Sequence, residues 1–280
     1  MSAQGLAPRQ AAHAVLTEVR AGRPFDLALD RAVERLSEPD RRLAHELAAG
    51  VLRSQTSLDE RLAPLVPRGW ASVAPELKDV LRLGALQLTS LDRVPAHAAV
   101  DTSVALAKTT AGARAGGFVN AVLRRLGARP DIEGNGETAG TPGRLAQVAS
   151  HPPWLVERWL ERFGAEETAD LLRWNNTRPR LVLQPARASQ EDLERRWREA
   201  GIEVTPAPFG AGLATGGIRP RELPGFGEGA FIVQDPAQAL LARFADLPPA
   251  AIVYDACAAP GGKAIALGRA AGRVIAADVA

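Results

Sequence analysis

Residues 250–280, AAIVYDACAAPGGKAIALGRAAGRVIAADVA, admit few backbones. An apolar run (Ile252, Val253, Tyr254) ends at Asp255, and a loop of small residues follows. About ten helix-compatible residues come next, then a second apolar run (Val274 to Ala277) that ends at Asp278. This is one strand–loop–helix–strand unit, the opening of a parallel, doubly wound sheet, and such sheets take ligands at the carboxyl ends of their strands. Ala256, Ala258, Ala259, Gly261 and Gly262 carry little or no side chain, so a ligand can lie against their backbone. Pro260 stiffens the turn, and the helix start offers free amides.

The loop lacks the chemistry of two common nucleotide sites. A dinucleotide fold calls for G-x-G-x-x-G, whereas here two glycines are adjacent. A phosphate-binding loop calls for G-x-x-x-x-G-K-[ST]. Here Cys257 stands at the first glycine and Ala264 follows Lys263. Acids close both strands, and Asp278 follows Asp255 at a spacing suited to reading ribose hydroxyls. Together they suit a cationic ligand with a free ribose. Asp255 either caps the loop or touches the ligand, and Lys263 reads as a residue of the helix start.

Upstream, residues 6–128 read as helix throughout. Apolar residues recur at helical spacing in Ala12, Val15, Leu16 and Val19, and in Leu43, Leu47, Val51, Leu58, Leu62 and Leu65. Leu77, Val80, Leu81, Gly84, Leu88 and Leu91 form another stripe. Val100, Val104 and Ala107 mark a fifth helix, and Phe118, Val122, Leu123 and Leu126 a sixth. Ser37 precedes Pro39 and Asp40 as a helix cap should. Breaks at Gly22–Pro24, Pro67–Gly69 and Arg93–Pro95 suit a compact bundle. The segment RPDIEGNGETAGTPGR, from residue 129, is too poor in apolar residues to offset its ordering entropy and reads as a flexible linker. Helices bearing Trp154, Trp159 and Phe163 follow. Then RLVLQP, SQEDLERRWREAG and IEVTPAPF form a strand–helix–strand pattern, and AFIVQD reads as one more strand.

The predicted organisation is therefore a helical bundle at 1–128, a linker at 129–147, a connecting region of helices plus a small mixed sheet at 148–228, and the start of a nucleotide-binding domain at 229–280. The fold class is α + α/β. Cys257 is the only cysteine, which excludes an intrachain disulfide and a multi-cysteine zinc site. His13, His45, His97 and His151 lack metal-ligand spacing, so no metal site is expected. No apolar run is long enough to span a membrane and no secretory signal is readable, so the expected setting is the cytoplasm, without membrane contact. Of the 34 basic residues only Lys78, Lys108 and Lys263 are lysines. Residues 1–128 hold 17 basic and 13 acidic side chains. An arginine-rich, mildly basic bundle is compatible with RNA, although on charge alone compositional bias is the favoured account. Arg124–Arg125 and Arg195–Arg196 either meet phosphates or solvate a helix face. Trp154, Trp159, Trp174 and Trp197 lie among leucines at helical spacing and read as core rather than as base-stacking platforms.

The run DACAAPGGK closely resembles the cofactor motif of the RNA 5-methylcytosine methyltransferases (the Sun/NOL/NOP family), with Ala264 where that family usually carries Thr or Ser. SLDERLAPL, LRLGALQL, VPAHAAVDTSVALAK and GFVNAVLRRL resemble the NusB-type helical domain fused to one bacterial branch of it. HPPWLVERWLERFG, NNTRPRLVLQP and GFGEGAFIVQDPAQALL resemble its connecting region, with Gln184 near a position where the family usually has Asn. The resemblance implies a class I methyltransferase domain that uses S-adenosyl-L-methionine, lined by Cys257, Ala258, Ala259, Pro260, Gly261, Gly262, Lys263 and Asp278. It implies methylation of cytosine C5 in small-subunit (16S) ribosomal RNA by a monomer, with an RNA-binding NusB-like domain. Cytosine-C5 chemistry needs a thiolate to add at C6. By the same resemblance that cysteine lies beyond Ala280, so Cys257 lines the cofactor loop, no catalytic residue is expected in this chain, and the chain alone is expected to be inactive. The rival reading is a non-catalytic NusB-like RNA-binding or antitermination scaffold.

Overall fold

The computed structural model describes residues 5–128, 141–177, 179–216 and 218–279, which fall into two compact units, Met1–Thr177 and Arg178–Ala280. The described part of the first unit is helical. Helices α1 (Leu6–Arg20), α2 (Phe25–Val33), α3 (Glu38–Leu62), α4 (Pro75–Ser90), α5 (Ala96–Ala111) and α6 (Ala113–Gly127) bury one continuous core. The stripes read from the sequence are its walls: Val15, Leu47, Val51, Leu62, Val80, Leu81 and Leu123 are all fully buried. Ser37 caps α3 as expected, its hydroxyl accepting from the Asp40 amide. The helix kinks at Ser54, whose hydroxyl donates back to the Gly50 carbonyl at 2.7 Å, a bond that bends helices. At Gly84 the helices meet most closely. A Cβ there would stand 2.4 Å from a Leu123 methyl and 2.8 Å from the Ser103 hydroxyl.

Asp79 and Arg82, buried beside this core, are ion-paired, whereas the buried Arg9 donates to the Gln87 side chain at 2.8 Å. The Asp79 carboxylate receives Arg20 and, at 2.9 Å, Arg82, and Arg82 also donates to both Asp59 oxygens at 2.6 and 2.7 Å. Burial alone would lower the pKa of Arg82, but the hydrogen bonds and charges of Asp59 and Asp79 together raise it above the ordinary arginine value.

Helices α7 (Pro142–Val148) and α8 (Pro153–Asn175) also belong to the first unit. This differs from the expected layout, in which a linker ran to residue 147 and these helices joined the connecting region. Residues 129–140 lie outside the described set. Residues 142–148 form a helix because Leu145, Ala146 and Val148 supply a short apolar face among polar neighbours. Ala146 packs with Val156 and Leu172, Arg144 pairs with Glu60, and the Ser57 amide donates to Ser150 Oγ at 2.9 Å. These contacts dock the helical pair on α3.

The second unit opens with β1 (Leu181–Pro185), α9 (Gln190–Glu199), β2 (Val204–Pro206), β3 (Leu213–Thr215) and β4 (Phe231–Val233). The strand order is β2-β3-β1-β4, and every pairing is antiparallel. A small mixed sheet was expected here, and the strand–helix–strand pattern read from the sequence corresponds to β1–α9–β2. However, β3 inserts between those two strands, a split β-α-β arrangement. The sheet also claims β4, which the sequence assigned to the domain beginning at 229, because β4 pairs with the open edge of β1. Ser189 caps α9 through the Asp192 amide at 3.1 Å. Beneath the sheet, Trp197 is fully buried, donates from Nε1 to the Pro224 carbonyl at 3.0 Å and meets Phe231 edge-on. Helix α10 (Pro236–Phe244) follows, then β5 (Ile252–Asp255), α11 (Gly262–Leu267) and β6 (Arg273–Ala276). Strands β5 and β6 pair in parallel from Ile252 opposite Arg273 to Asp255 opposite Ala276.

Candidate functional site

The strand–loop–helix–strand unit sets its acids where the sequence placed them. Asp255 is the last residue of β5, and Asp278 lies two residues past β6. Because the strands are parallel and in register, the two acids stand at the same end of the pair and face one loop, residues 256–261. The loop is held from both sides. Asp255 Oδ1 accepts from the Cys257 amide at 3.2 Å, and the Ala258 amide donates to the Ala277 carbonyl at 3.0 Å. The Ala259 amide donates to Asp278 Oδ2 at 2.6 Å. Gly261 closes the turn at φ 107°, a left-handed conformation that side-chain-bearing residues adopt only under strain.

Each residue singled out in the sequence has a definite place. The Cys257 side chain is exposed and its backbone is bound at both ends, the amide by Asp255 and the carbonyl by Lys263 Nζ at 2.6 Å. Lys263 thus reaches back from the first turn of α11 across the loop, and its ammonium lies 3.7 Å from Asp255 Oδ1. Ala258 is buried, while Ala259 and Pro260 are exposed and Gly261 and Gly262 are half-buried. Asp278 accepts from Ala259 with one oxygen and from the Val279 amide, at 2.7 Å, with the other. Each carboxylate oxygen has a second lone pair, so Asp278 can still accept from a ligand. Asp255 takes one of the two roles the sequence left open, that of a loop cap. Its Oδ1 caps the loop, while Oδ2 is buried with no hydrogen-bond partner.

Sequence reasoning passed over Gln234 and Gln238. Gln234 follows β4, is 4% exposed, and its side-chain Nε2 has no hydrogen-bond partner. It stands against Gly262: a Cβ on that glycine would meet Gln234 Nε2 at 3.4 Å and Gln238 Oε1 at 3.8 Å. The run Gln-Asp-Pro-Ala-Gln was the available signal, two amides one helical turn apart ahead of the ligand loop.

Elsewhere the expectations divide. Trp197 is core and Trp159 packs in the small α7–α8 core, but Trp154 and Trp174 are 63% and 70% exposed. Helical spacing set both on α8, and no described neighbour covers their faces. Arg195 and Arg196 are matched by Asp192, with Glu228 also on Arg196 at 2.8 Å, whereas Arg124 and Arg125 are exposed on the bundle. Among the described residues no group of three or more His, Cys, Asp or Glu side chains could hold a metal ion, and no helix is long and apolar enough to cross a membrane.

Known families match two regions of the chain. Residues 6–128 match the NusB family, and residues 151–214 match the RsmF/B-like, ferredoxin-like methyltransferase domain. The chain is 35% identical over 268 residues to a probable ribosomal RNA small subunit methyltransferase B of Synechocystis, covering 92% of this chain and 59% of that protein. It is 34% identical over 262 residues to ribosomal RNA small subunit methyltransferase B of Pseudomonas putida (91% and 58%). The Thermus thermophilus protein of that name is 34% identical over 282 residues (97% and 60%). The crystal structure of PH0851 shares the fold, with a TM-score of 0.68 at 20% identity over 99% of this chain and 64% of that one. This chain spans about three-fifths of the length of the curated relatives it matches, and over that length it is similar to proteins named ribosomal RNA small subunit methyltransferase B.

Proposed function

We propose that the protein carrying this chain transfers a methyl group from S-adenosylmethionine to C5 of a cytidine in small-subunit ribosomal RNA. The observation that carries the reading is the small-residue loop 256–261 between two strand-end acids, one of which keeps a buried, unpartnered oxygen. That oxygen fits a ligand bearing a cation or a strong donor. The names of the relatives point to the same substrate class.

In this reading Asp278 holds the ribose hydroxyls, and its existing bond to the Ala259 amide keeps the loop at the right height for them. The loop backbone from Cys257 to Gly262 lines the ligand. Lys263, anchored on the Cys257 carbonyl, tightens the loop and balances the charge of Asp255. When bound, S-adenosylmethionine supplies a methyl group activated by a positive sulfur. By the family resemblance the thiolate that adds to C6 of the base comes from a different cysteine, and Cys257 lines the cofactor loop. The NusB-like bundle, with Arg124 and Arg125 on its surface, contributes RNA affinity through phosphate contacts.

Incubating the protein with unmethylated small-subunit RNA and isotopically labelled cofactor tests this. Nucleoside mass spectrometry should then find the label in 5-methylcytidine. Label in another nucleoside, or none with active cofactor binding, overturns the assignment.

A further inference from the structure

Two buried polar atoms beside the loop lack partners, and they are of opposite kind. Gln234 Nε2 is a donor and Asp255 Oδ2 an acceptor, in side chains only 4% and 7% exposed. Native folds seldom bury such groups without a partner, whether protein, ordered water or ligand. Both flank the same few residues. Gln234 faces Gly262, where even a methyl group would come within 3.4 Å of its amide. Asp255 lies across the loop, its other oxygen committed to the Cys257 amide. The backbone that carries Gln234 is held on both sides. The Gln234 backbone amide donates to the Val182 carbonyl at 3.2 Å, and Asp235 caps α10 through the Ala237 amide at 2.8 Å.

We infer that Gln234 is a binding determinant for the amino-acid end of the cofactor: its amide donates to the ligand carboxylate while Asp255 Oδ2 accepts from the ligand ammonium. The assignment rests on the S-adenosylmethionine reading above. Of the three parts of that molecule, only the amino-acid end presents an anionic acceptor and a cationic donor side by side. The ribose offers two like hydroxyls, already matched to Asp278. The adenine edge offers a neutral amine, a weaker partner for a buried carboxylate than an ammonium. Gly262 is then small because a side chain there would occupy the space in front of the amide.

The test compares two ligands by titration calorimetry on the protein carrying this chain. S-adenosylhomocysteine has the amino-acid end, and 5′-methylthioadenosine lacks it. Gln234→Leu should weaken S-adenosylhomocysteine about tenfold, the usual effect of losing a hydrogen bond to a charged group. Gln234→Glu, which keeps the shape, should weaken it further by setting carboxylate against carboxylate. Both variants should bind 5′-methylthioadenosine as the unaltered protein does. If Gln234→Leu fails to fold, the isosteric Gln234→Glu still decides the matter. Equal weakening toward both ligands, or none toward either, overturns the assignment while leaving the cofactor reading intact. Failure of the unaltered protein to bind either ligand removes the cofactor reading and this assignment with it.

Discussion

The Ala259 amide donates to Asp278 Oδ2 at 2.6 Å, so the acid beyond the second strand of the parallel pair holds the loop beyond the first. The bond spans 19 residues of chain and sets the loop against the strand ends.

Replacing Asp278 should therefore do two things. Asp278→Ala removes hydrogen bonds between a charged acceptor and the ligand, worth about 1.5–3 kcal/mol each, and so should weaken S-adenosylmethionine tenfold or more. It should also speed hydrogen exchange at the Ala259 amide. Calorimetry together with exchange mass spectrometry checks both effects. Unchanged affinity would rule Asp278 out as the ribose ligand.

Cys257 contributes through its backbone, which substitution leaves in place. Cys257→Ala should keep cofactor affinity within a few-fold and retain substantial methyl transfer, whereas loss of a true nucleophile abolishes turnover. Methyl incorporation into small-subunit RNA is the readout. Complete inactivity with normal cofactor binding would move the chemistry onto Cys257.

In the helical unit, Arg82→Met leaves Asp79, whose side chain is only 4% exposed, with Arg20 as its remaining cation. Stranding a buried charge outright costs about 3–5 kcal/mol, and because Arg20 still meets Asp79 the loss here should fall somewhat below that, at about 2–3 kcal/mol. The midpoint of urea unfolding should fall accordingly. Added salt should restore little, since screening reaches buried groups poorly. A loss below about 1 kcal/mol, typical of exposed pairs, would mean that water reaches the network.

Gly84→Ala pits two effects against each other. Alanine favours a helix over glycine by about 1 kcal/mol. Its methyl group, however, would stand 2.4 Å from Leu123 and 2.8 Å from Ser103. Overpacking of this kind costs about 1–3 kcal/mol, so the variant should be net destabilised. Pairing it with Leu123→Ala should recover part of the loss, which a double-mutant cycle in urea would measure.

What was legible in the sequence was local. A helical stripe such as Val80, Leu81 and Gly84 repeats within one turn and needs no knowledge of its neighbour, and the Ser37 and Ser189 caps are written within four residues. The turn at 256–261 was legible because a run of small residues after an apolar strand and before a helix leaves few other backbones. Strand order was not, because β3 reaches the middle of its sheet through pairings with residues about thirty positions earlier. Nor was the exposure of Trp154 and Trp174, since spacing puts a residue on a face without saying what covers it. Helix α7 was hidden by its glycine- and proline-rich setting. Gln234 escaped because a glutamine becomes informative only once it is known to be buried and unbonded.

Strand β4 runs antiparallel to β1 from Phe231 opposite Pro185 to Val233 opposite Leu183, and Gln234 is the next residue. The sheet of the ferredoxin-like region therefore acts as a ruler for the ligand loop. Side chains along a strand alternate between faces, so a one-residue deletion between Gly229 and Val233 would turn the amide away from Gly262 while sparing every residue of the DACAAPGGK run. Length in this stretch is thus constrained as tightly as identity, and an insertion survives only where it comes in twos or is absorbed by the turn before β4.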